Sequence, residues 1–533
     1  MPNRIVVFTG RLDYPLRKAI VEIDAVVPDV SWLVLIHAPT RSVRKLARSQ
    51  WRNLKRNGWR WIPYQARNVL ARIAERLRRP DDDVAPEHPG ALYGPEPFLA
   101  RGNLDVERVA SVHAPSSLER VTAFAPDLGI SWGGPILKPE LFTIPRAGTV
   151  NLHQGKVPDY RGMPPAFWEL WNDEDRVGCT VHRVDAALDT GDIVAQGTLE
   201  RERFASLRGM QLRLDELGIR LMRDAVRDTL AGRTRATPQP PGGRTYRKPT
   251  LVQAAELQRR LPRRRPPAAS PIRQLGKDIG ARTLSTLWRA GMARAFPPRV
   301  TVLLFHRVSD DARDDLTVGV EQFDHQMGLL RRHCRILSIP ELLALSRPPR
   351  SRRPLVAVTF DDGYLDNFTN AAPILLRHAI PAAFFVATGI IGTDRQFPHD
   401  VRRGNPFIPI MEWDHVRTLR DAGFTIGSHT VSHIDCAAEP ADVVDAELRQ
   451  SLTDLRRELG LRDVVFAYPY GGRQHMTADR LRIVRDAGYT ACLSAYGGAN
   501  TGAFDRFDIR RRGIHWEYSD PAFLFRCLGL GST

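Results

Sequence analysis

Short apolar runs recur along this chain at intervals that suit strands alternating with helices. In the first half they fall at Arg4–Phe8, Trp32–Ile36, Leu128–Ser131, Thr149–Leu152 and Thr180–Val184. Each has the length of a buried strand and is too short for a helix. Stretches compatible with helix separate several of them, and Leu207–Ala231 repeats apolar residues at helical spacing. The alternation predicts a mostly parallel sheet covered by helices over residues 1–250.

The pattern then breaks. From Pro262 to Pro271 the text is Pro-Arg-Arg-Arg-Pro-Pro-Ala-Ala-Ser-Pro, a proline density that excludes regular helix or central strand. Helical periodicity returns over Leu275–Phe296, so 251–298 is expected to be a basic Pro/Arg-rich linker with one amphipathic helix. A second alternation begins at Val300–Phe305. It continues through Leu355–Phe360, Ala382–Ala387, Phe424–Gly427, Val464–Ala467 and Thr490–Ser494, with helical patterns at Ala446–Leu459 and Ala478–Ala487. A second α/β unit over 299–533 follows. In this second unit both the acidic and the histidine motif stand directly after strand ends, the face where catalytic groups of parallel α/β folds gather.

At 533 residues the chain exceeds what one core usually supports, which agrees with two units. Its opening, Met1–Thr9, reads as a buried strand and not as a signal peptide. No apolar stretch approaches the roughly 18 residues needed to cross a bilayer. The five scattered cysteines suggest buried thiols in a reducing compartment, so the cytoplasm is the expected location. The net charge of +17 sits in two segments: Arg41–Arg79 carries 13 basic residues and one acid, and Glu256–Arg299 carries 11 basic residues and two acids. With Trp51, Trp59 and Trp61 interleaved, the first segment suits an anionic membrane surface or a phosphate-bearing lipid or nucleotide. A solvated helix face is the plain alternative. RNA is disfavoured, since no RRM or KH motif is present, so nucleic acid is not an expected partner.

Asn151-Leu152-His153 places an amide and an imidazole on the same side of a strand end, because alternate strand residues share a face. Such a pair can supply a base for an attacking amine and a donor for a developing oxyanion. Asp189, in the Gly-bearing run Leu188-Asp189-Thr190-Gly191-Asp192, could orient the imidazole. The longer text GTVNLHQGKVPDYRGMPPAFWEL, then VGCTVHRVDAALDTGDIVAQ, with PDLGISWGGPILKPELF upstream, resembles the folate-dependent formyltransferase family. This family includes glycinamide, methionyl-tRNA and sugar-amine formyltransferases. The resemblance implies a Rossmann-like domain and N10-formyltetrahydrofolate as donor. It also implies a catalytic triad of Asn151, His153 and Asp189, and a mobile substrate loop at Pro158, Tyr160, Arg161 and Gly162. After the histidine this chain departs from the family pattern, with Gln154, Gly155 and Lys156.

The second motif pair is Thr359-Phe360-Asp361-Asp362-Gly363 and Ser428-His429-Thr430-Val431-Ser432-His433. Paired carboxylates and a His-x-x-x-His offer ligands for a divalent metal with open positions, and a spare carboxylate to take a proton from water. Together they resemble the polysaccharide deacetylase family (NodB homology domain) over Val300 to Trp516. That resemblance implies a distorted (β/α) barrel with Asp361 as general base. It implies Asp362, His429 and His433 as metal ligands, zinc first, with manganese or cobalt as alternatives. Tyr468, Pro469 and Tyr470 resemble its Arg-x-Pro-Tyr segment, which lines the site and offers a backbone donor to the oxyanion. Ala467 stands where the family often has the arginine that steadies the base. The late Leu-x-His general acid has no clear counterpart; His515 is the nearest candidate, and His306 could as well be structural.

One unit would thus place a formyl group on an amine and the other remove an acyl group, a combination suited to an amino sugar or N-acyl sugar, free, nucleotide-linked or lipid-linked. Methionyl-tRNA formylation beside a deformylase or a non-catalytic sugar-binding unit is the alternative.

Overall fold

The computed structural model describes residues 2–39, 43–63, 65–66, 93, 95–261, 297–312, 314–403, 405, 407–503 and 505–529. They form two compact units, the first within 2–261 and the second within 297–529. The amphipathic helix expected at Leu275–Phe296, the proline run before it and much of Arg41–Arg79 lie outside the described residues.

In the first unit β1 (Asn3–Thr9), β2 (Val30–His37), β3 (Leu104–Val109), β4 (Leu128–Trp132) and β5 (Thr149–His153) pair in parallel. A short β6 (Arg161–Gly162) follows, then β7 (Arg176–Arg183) and β8 (Ile193–Glu200), which add antiparallel strands beyond β5 in the order β3-β2-β1-β4-β5-β7-β8. β9 (Thr245–Tyr246) pairs with β6. The central strand shows why the run Ile-Val-Val-Phe reads as apolar throughout: both of its faces are covered. Ile5 and Val7 meet helices Tyr14–Val26 and Leu207–Leu230, while Val6 and Phe8 pack on Val121 and Leu141. Ser206 caps the long helix by accepting from Gly209 N.

Helix Leu251–Arg260 belongs to this first unit and not to the linker. Thr250 and Gln253 form a capping box, and Leu257 and Leu261 are buried against Phe167, Leu214 and Leu217. Burying each leucine contributes roughly 1.5–3 kcal/mol, enough to hold the helix down.

In the second unit β10 (Arg299–Phe305) is followed by the small pair β11 (Arg307–Val308) and β12 (Thr317–Val318), and by β13 (Arg335–Ile336) at the edge of β14 (Leu355–Phe360). Then come β15 (Ala383–Val386), β16 (Thr425–Ser428), β17 (Val465–Ala467), β18 (Ala491–Leu493), β19 (Asn500–Thr501) and β20 (Arg511–Gly513). The strands from β18 to β10 run parallel in reverse chain order. β20 pairs in parallel with β10, and Ile509 bridges to Leu493 of β18. Residues 509–513 therefore touch both the first and the last strand, and the sheet curls into a distorted barrel. Ala357, Ala383, Ala467 and Ala491 sit among larger residues in its core, small side chains that suit tight curvature.

Candidate active sites

The carboxyl end of β5 organises the first site. Its antiparallel neighbour β7 sets His182 opposite Asn151. His182 Nδ1 donates to Arg183 O at 2.8 Å, because a carbonyl can only accept. Nε2 is then left to accept from Asn151 Nδ2 at 3.1 Å. The Asn151 amide is thereby fixed, with a second N–H still to give. Asp189 turns back between β7 and β8 with φ of 54°, a left-handed conformation rarely adopted without glycine. Its carboxylate lies 3.5 Å from His153 Nδ1 and 3.5 Å from His182 Nε2. Asn151, His153 and Asp189 are thus brought together, with His182, which the sequence patterns did not single out, between two of them.

His153 is 7% exposed, and burial holds its pKa below the ordinary 6.5 despite the pull of Asp189. Its Nε2 donates to Tyr160 O at 2.6 Å, and Asp189 Oδ2 accepts from Gly162 N at 3.0 Å. The loop expected to be mobile is tied down on its other side too. Arg161 bonds Gln239 Oε1 at 2.8 and 3.2 Å, Arg244 N donates to Pro158 O at 3.1 Å, and Tyr160 stacks on Tyr246 at 5.4 Å. Gln239 also bonds the carbonyls of Asp189 and Gly191. A strap from Gln239 to Tyr246 thus spans the loop and the Asp189 turn. Tyr160 is buried with its hydroxyl on Glu174, so its side chain faces the chain itself and not a substrate.

The second site lies where β10, β14, β16 and β17 end. Asp361 and Asp362 follow β14, both almost fully buried, and Asp362 takes φ of 74°. His429 Nε2 is 3.4 Å and His433 Nε2 3.2 Å from Asp362 Oδ1. One ligand atom from each of Asp362, His429 and His433 falls within 4.8 Å of the others. His429 Nδ1 donates to Ala467 O at 2.7 Å, which fixes the tautomer and leaves Nε2 bare for a ligand. Neither carboxylate oxygen of Asp362 has a hydrogen-bond partner, although both are buried. A buried carboxylate that faces imidazoles without an aligned hydrogen bond is costly, and a divalent cation on these three residues would satisfy it. The donor set of one carboxylate and two imidazoles fits.

Asp361 is held differently. Arg511, from β20, grips it in a bidentate pair at 2.6 and 2.7 Å, and anchors its own Nε on Ser494 O. The arginine absent at position 467 is therefore supplied from another strand, at the closing edge of the barrel. An arginine inside a short strand flanked by Ile509 and Ile514 was the available signal, since buried arginine requires a partner.

Four further placements add to the sequence expectations or differ from them. His515 does not join the cluster; its ring lies 4.5 Å from Tyr518 and its Nδ1 4.0 Å from Glu517. His306, at the end of β10, feels the charges of Asp362, Asp361 and Arg511, and burial lowers its pKa. His399 stands 3.7 Å from Asp362 Oδ2 and bonds the Tyr364 hydroxyl at 2.9 Å. It lies in an aperiodic polar stretch that offered no signal. Of the Tyr-Pro-Tyr segment, Tyr468 points inward onto Phe466 and its N–H is used by Leu493 O. Tyr470 alone presents a side chain at the site, its ring 5.1 Å from that of His433.

Comparison with known proteins matches residues 98–226 to the formyl transferase family and residues 349–492 to the polysaccharide deacetylase family. The chain joins a formyl transferase domain to a polysaccharide deacetylase domain. A methionyl-tRNA formyltransferase of Cyanothece sp. is 32% identical over 187 residues, 32% of this chain and 55% of that protein. The chain thus spans about half the length of the curated relatives it matches. Among solved structures, a Streptococcus pyogenes deacetylase PplD in complex with acetate aligns at 22% identity and TM-score 0.37, covering 44% of this chain and 99% of that one. A sugar N-formyltransferase from Shewanella sp. aligns at 15% identity and TM-score 0.31, covering 48% and 87%. Asn151, His153, His182 and Asp189 fall inside the formyl transferase match, and Asp361, Asp362, His429 and His433 inside the deacetylase match. Arg511 and His306 fall outside it.

Proposed function

We propose that the chain is a bifunctional carbohydrate-modifying enzyme. The deacetylase domain hydrolyses the N-acyl group of a sugar, and the formyl transferase domain moves the formyl group of N10-formyltetrahydrofolate onto the freed or a related amine. The observation that carries this reading is the pairing, in one chain, of an Asn–His–Asp cluster with a fully buried Asp pair, two histidines and an arginine clamp. In formyl transfer the amine nitrogen bonds the formyl carbon, and His153 takes the proton the amine sheds. The second N–H of Asn151 stabilises the oxyanion, and the folate nitrogen leaves with a proton. In hydrolysis Asp361, oriented by Arg511, accepts the proton of the attacking water, and the products are a carboxylate and a free amine. A divalent cation on Asp362, His429 and His433 would supply carbonyl polarisation and a more acidic water.

Incubating the full chain with an N-acetyl sugar, then adding the formyl donor, tests the reading by product mass. Loss of 42 Da followed by gain of 28 Da is the mass change expected on the order of one acetyl lost and one formyl gained per sugar. No mass change with glycan, nucleotide-linked or lipid-linked sugars would sink it. Methionyl-tRNA formylation is the second reading, favoured by the names of the curated relatives; charged tRNA would then be formylated and would compete with sugars.

The basic segment after β2 supports a peripheral membrane position for this chemistry. Helix Val43–Asn57 and the turn after it expose Trp51 at 59% and Trp59 at 74%, beside Arg48, Arg52 and Lys55. Aromatic residues among cations suit an anionic lipid surface. Flotation with anionic but not neutral vesicles is the expected behaviour. Among the described residues no helix is long and apolar enough to cross a membrane.

A further inference from the structure

Just outside the metal-ligating set, the turns after β16 and β17 meet in a group of side chains that the chemistry above does not use. His475 Nδ1 lies 2.6 Å from Asp435 Oδ1, so Nδ1–H donates to the carboxylate and Nε2 is set as the acceptor. The Gln474 amide, at the surface, reaches that Nε2 at 2.9 Å. Beside them stands Tyr470, 42% exposed although its ring packs T-shaped, at 5.1 Å, with that of the buried His433. Its ring and that of His475 are 5.7 Å apart and tilted by 31°. Tyr470 holds a left-handed backbone, φ of 61°, followed by Gly471 at 57°. A bulky residue in that conformation needs surrounding structure to hold it there.

The arrangement runs outward from the catalytic centre in one direction: His433, then the Tyr470 ring, then the imidazole and amide of His475 and Gln474. An exposed aromatic face beside two planar hydrogen-bonding groups, one fixed by a carboxylate, matches the needs of a sugar ring. A pyranose offers an apolar C–H face to pack on an aromatic ring and vicinal hydroxyls for convergent polar groups. The bond between Gln474 and His475 satisfies both groups in the free protein and can be exchanged for sugar hydroxyls at little net cost. Asp435 fixes the imidazole beforehand, so less rotamer freedom is lost on binding.

We propose that Tyr470, Gln474 and the Asp435-held His475 form a saccharide subsite that receives the sugar ring next to the one whose amide is cleaved. This rests on the deacetylase reading and deepens it by assigning the binding of a neighbouring ring to residues outside the catalytic set. Asp435 acts as a positioning residue, through His475.

The test uses the full chain carrying Asp361→Asn, so that binding is read without turnover, and titrates N-acetylglucosamine, its β-1,4 disaccharide and trisaccharide by calorimetry. His475→Ala is expected to weaken disaccharide binding about tenfold while changing monosaccharide binding little, and Tyr470→Ala to weaken disaccharide binding by at least as much. Tyr470→Phe should keep wild-type affinity, and Asp435→Asn should fall between. In the chain with native Asp361, His475→Ala should raise KM for the disaccharide by a similar factor and leave kcat within about twofold, a split that loss of folding would not give. Equal affinity in all variants, or no binding of any of these sugars by the starting chain, overturns the subsite. Failure of the deacetylase reading looks different: sugars bind, the variants weaken them as stated, and no acetate is released by the native chain.

Discussion

The two active regions of this chain are built on the same plan and left in opposite states. Both place a polar cluster at the carboxyl ends of strands, and both use a left-handed aspartate, Asp189 or Asp362, to aim a carboxylate back at histidines. In the formyl transferase domain every group of the cluster answers to another part of the chain: His153 to the Tyr160 carbonyl, Asp189 to the Gly162 N–H, Asn151 to His182. In the deacetylase domain both oxygens of Asp362 are buried without a hydrogen bond. The difference teaches where each site spends its strain. The first is self-satisfied, with both His153 and Asp189 bonded to the backbone of the 158–162 loop. The second leaves a buried carboxylate without a hydrogen bond, as a site built to receive a cation would.

The largest effects come from removing the proton acceptors. Asp361→Asn should lower acetate release by about 10³-fold, and His153→Ala should lower formyl transfer by a similar factor, within the range general-base removal gives. Each variant should leave the other reaction at wild-type rate, measured as separate products in one incubation. Loss of both reactions from either change would mean that the two sites depend on each other, and the comparison above would fail.

Next in size is Arg511→Lys. A lysine keeps the charge but not the two parallel hydrogen bonds to Asp361, so the base should be misplaced and acetate release fall about 10²-fold. Arg511→Met removes the partner of a buried carboxylate and should also cost about 3–5 kcal/mol of stability, read as a lower unfolding midpoint of the deacetylase domain. If Arg511→Lys is as active as wild type, Asp361 is positioned by something other than the clamp.

That clamp also marks the boundary of what sequence could tell. The strands with unbroken apolar runs, β1, β2, β10 and β14, stand out because both of their faces are buried. β3 (Leu-Asp-Val-Glu-Arg-Val) and β20 (Arg-Arg-Gly) are interrupted by charged residues, so no apolar run forms and neither is visible in the pattern. Asn151, His153, Asp361, Asp362, His429 and His433 lie in short contiguous motifs, and their convergence follows from strand ends meeting. His182 and Arg511 enter through pairing across the sheet, and His399 from the short helix Pro398–Arg402. Their roles exist only once register is known: His182 faces Asn151 because β7 runs antiparallel to β5. The same limit explains the loop 158–162, whose side chains are occupied by a strap some 80 residues later in the chain.

Gly162 tests that strap with a smaller effect. It has φ of 86°, and a Cβ there would lie 2.2 Å from the Tyr246 carbonyl oxygen. Gly162→Ala should destabilise the loop by about 2 kcal/mol from the backbone conformation alone, with the clash adding to it. The formyl transferase domain should then melt earlier and transfer formyl groups more slowly, while acetate release stays unchanged. An unchanged melting profile would mean that the loop and β9 are not held together as described.

The smallest expected effect is a displacement along the pH axis. Opposed influences meet at His153: burial above all, with His182, favours the neutral ring, while Asp189 and the hydrogen bond to the Tyr160 carbonyl favour the charged one. Burial prevails, so the folded value lies below 6.5 and the ring stays able to accept a proton at pH values where a solvated histidine would already be charged. The acid limb of kcat/KM for formyl transfer, which reports the free enzyme, should therefore fall below pH 6.5. Removing the carboxylate with Asp189→Asn takes away the largest influence that raises the value and should move the limb further toward acid, on top of any loss of rate. A limb above 6.5 in the native chain, moving down on Asp189→Asn, would show that the carboxylate outweighs burial. It would also place the free enzyme in a more open state, with the loop lifted and the ring in contact with water.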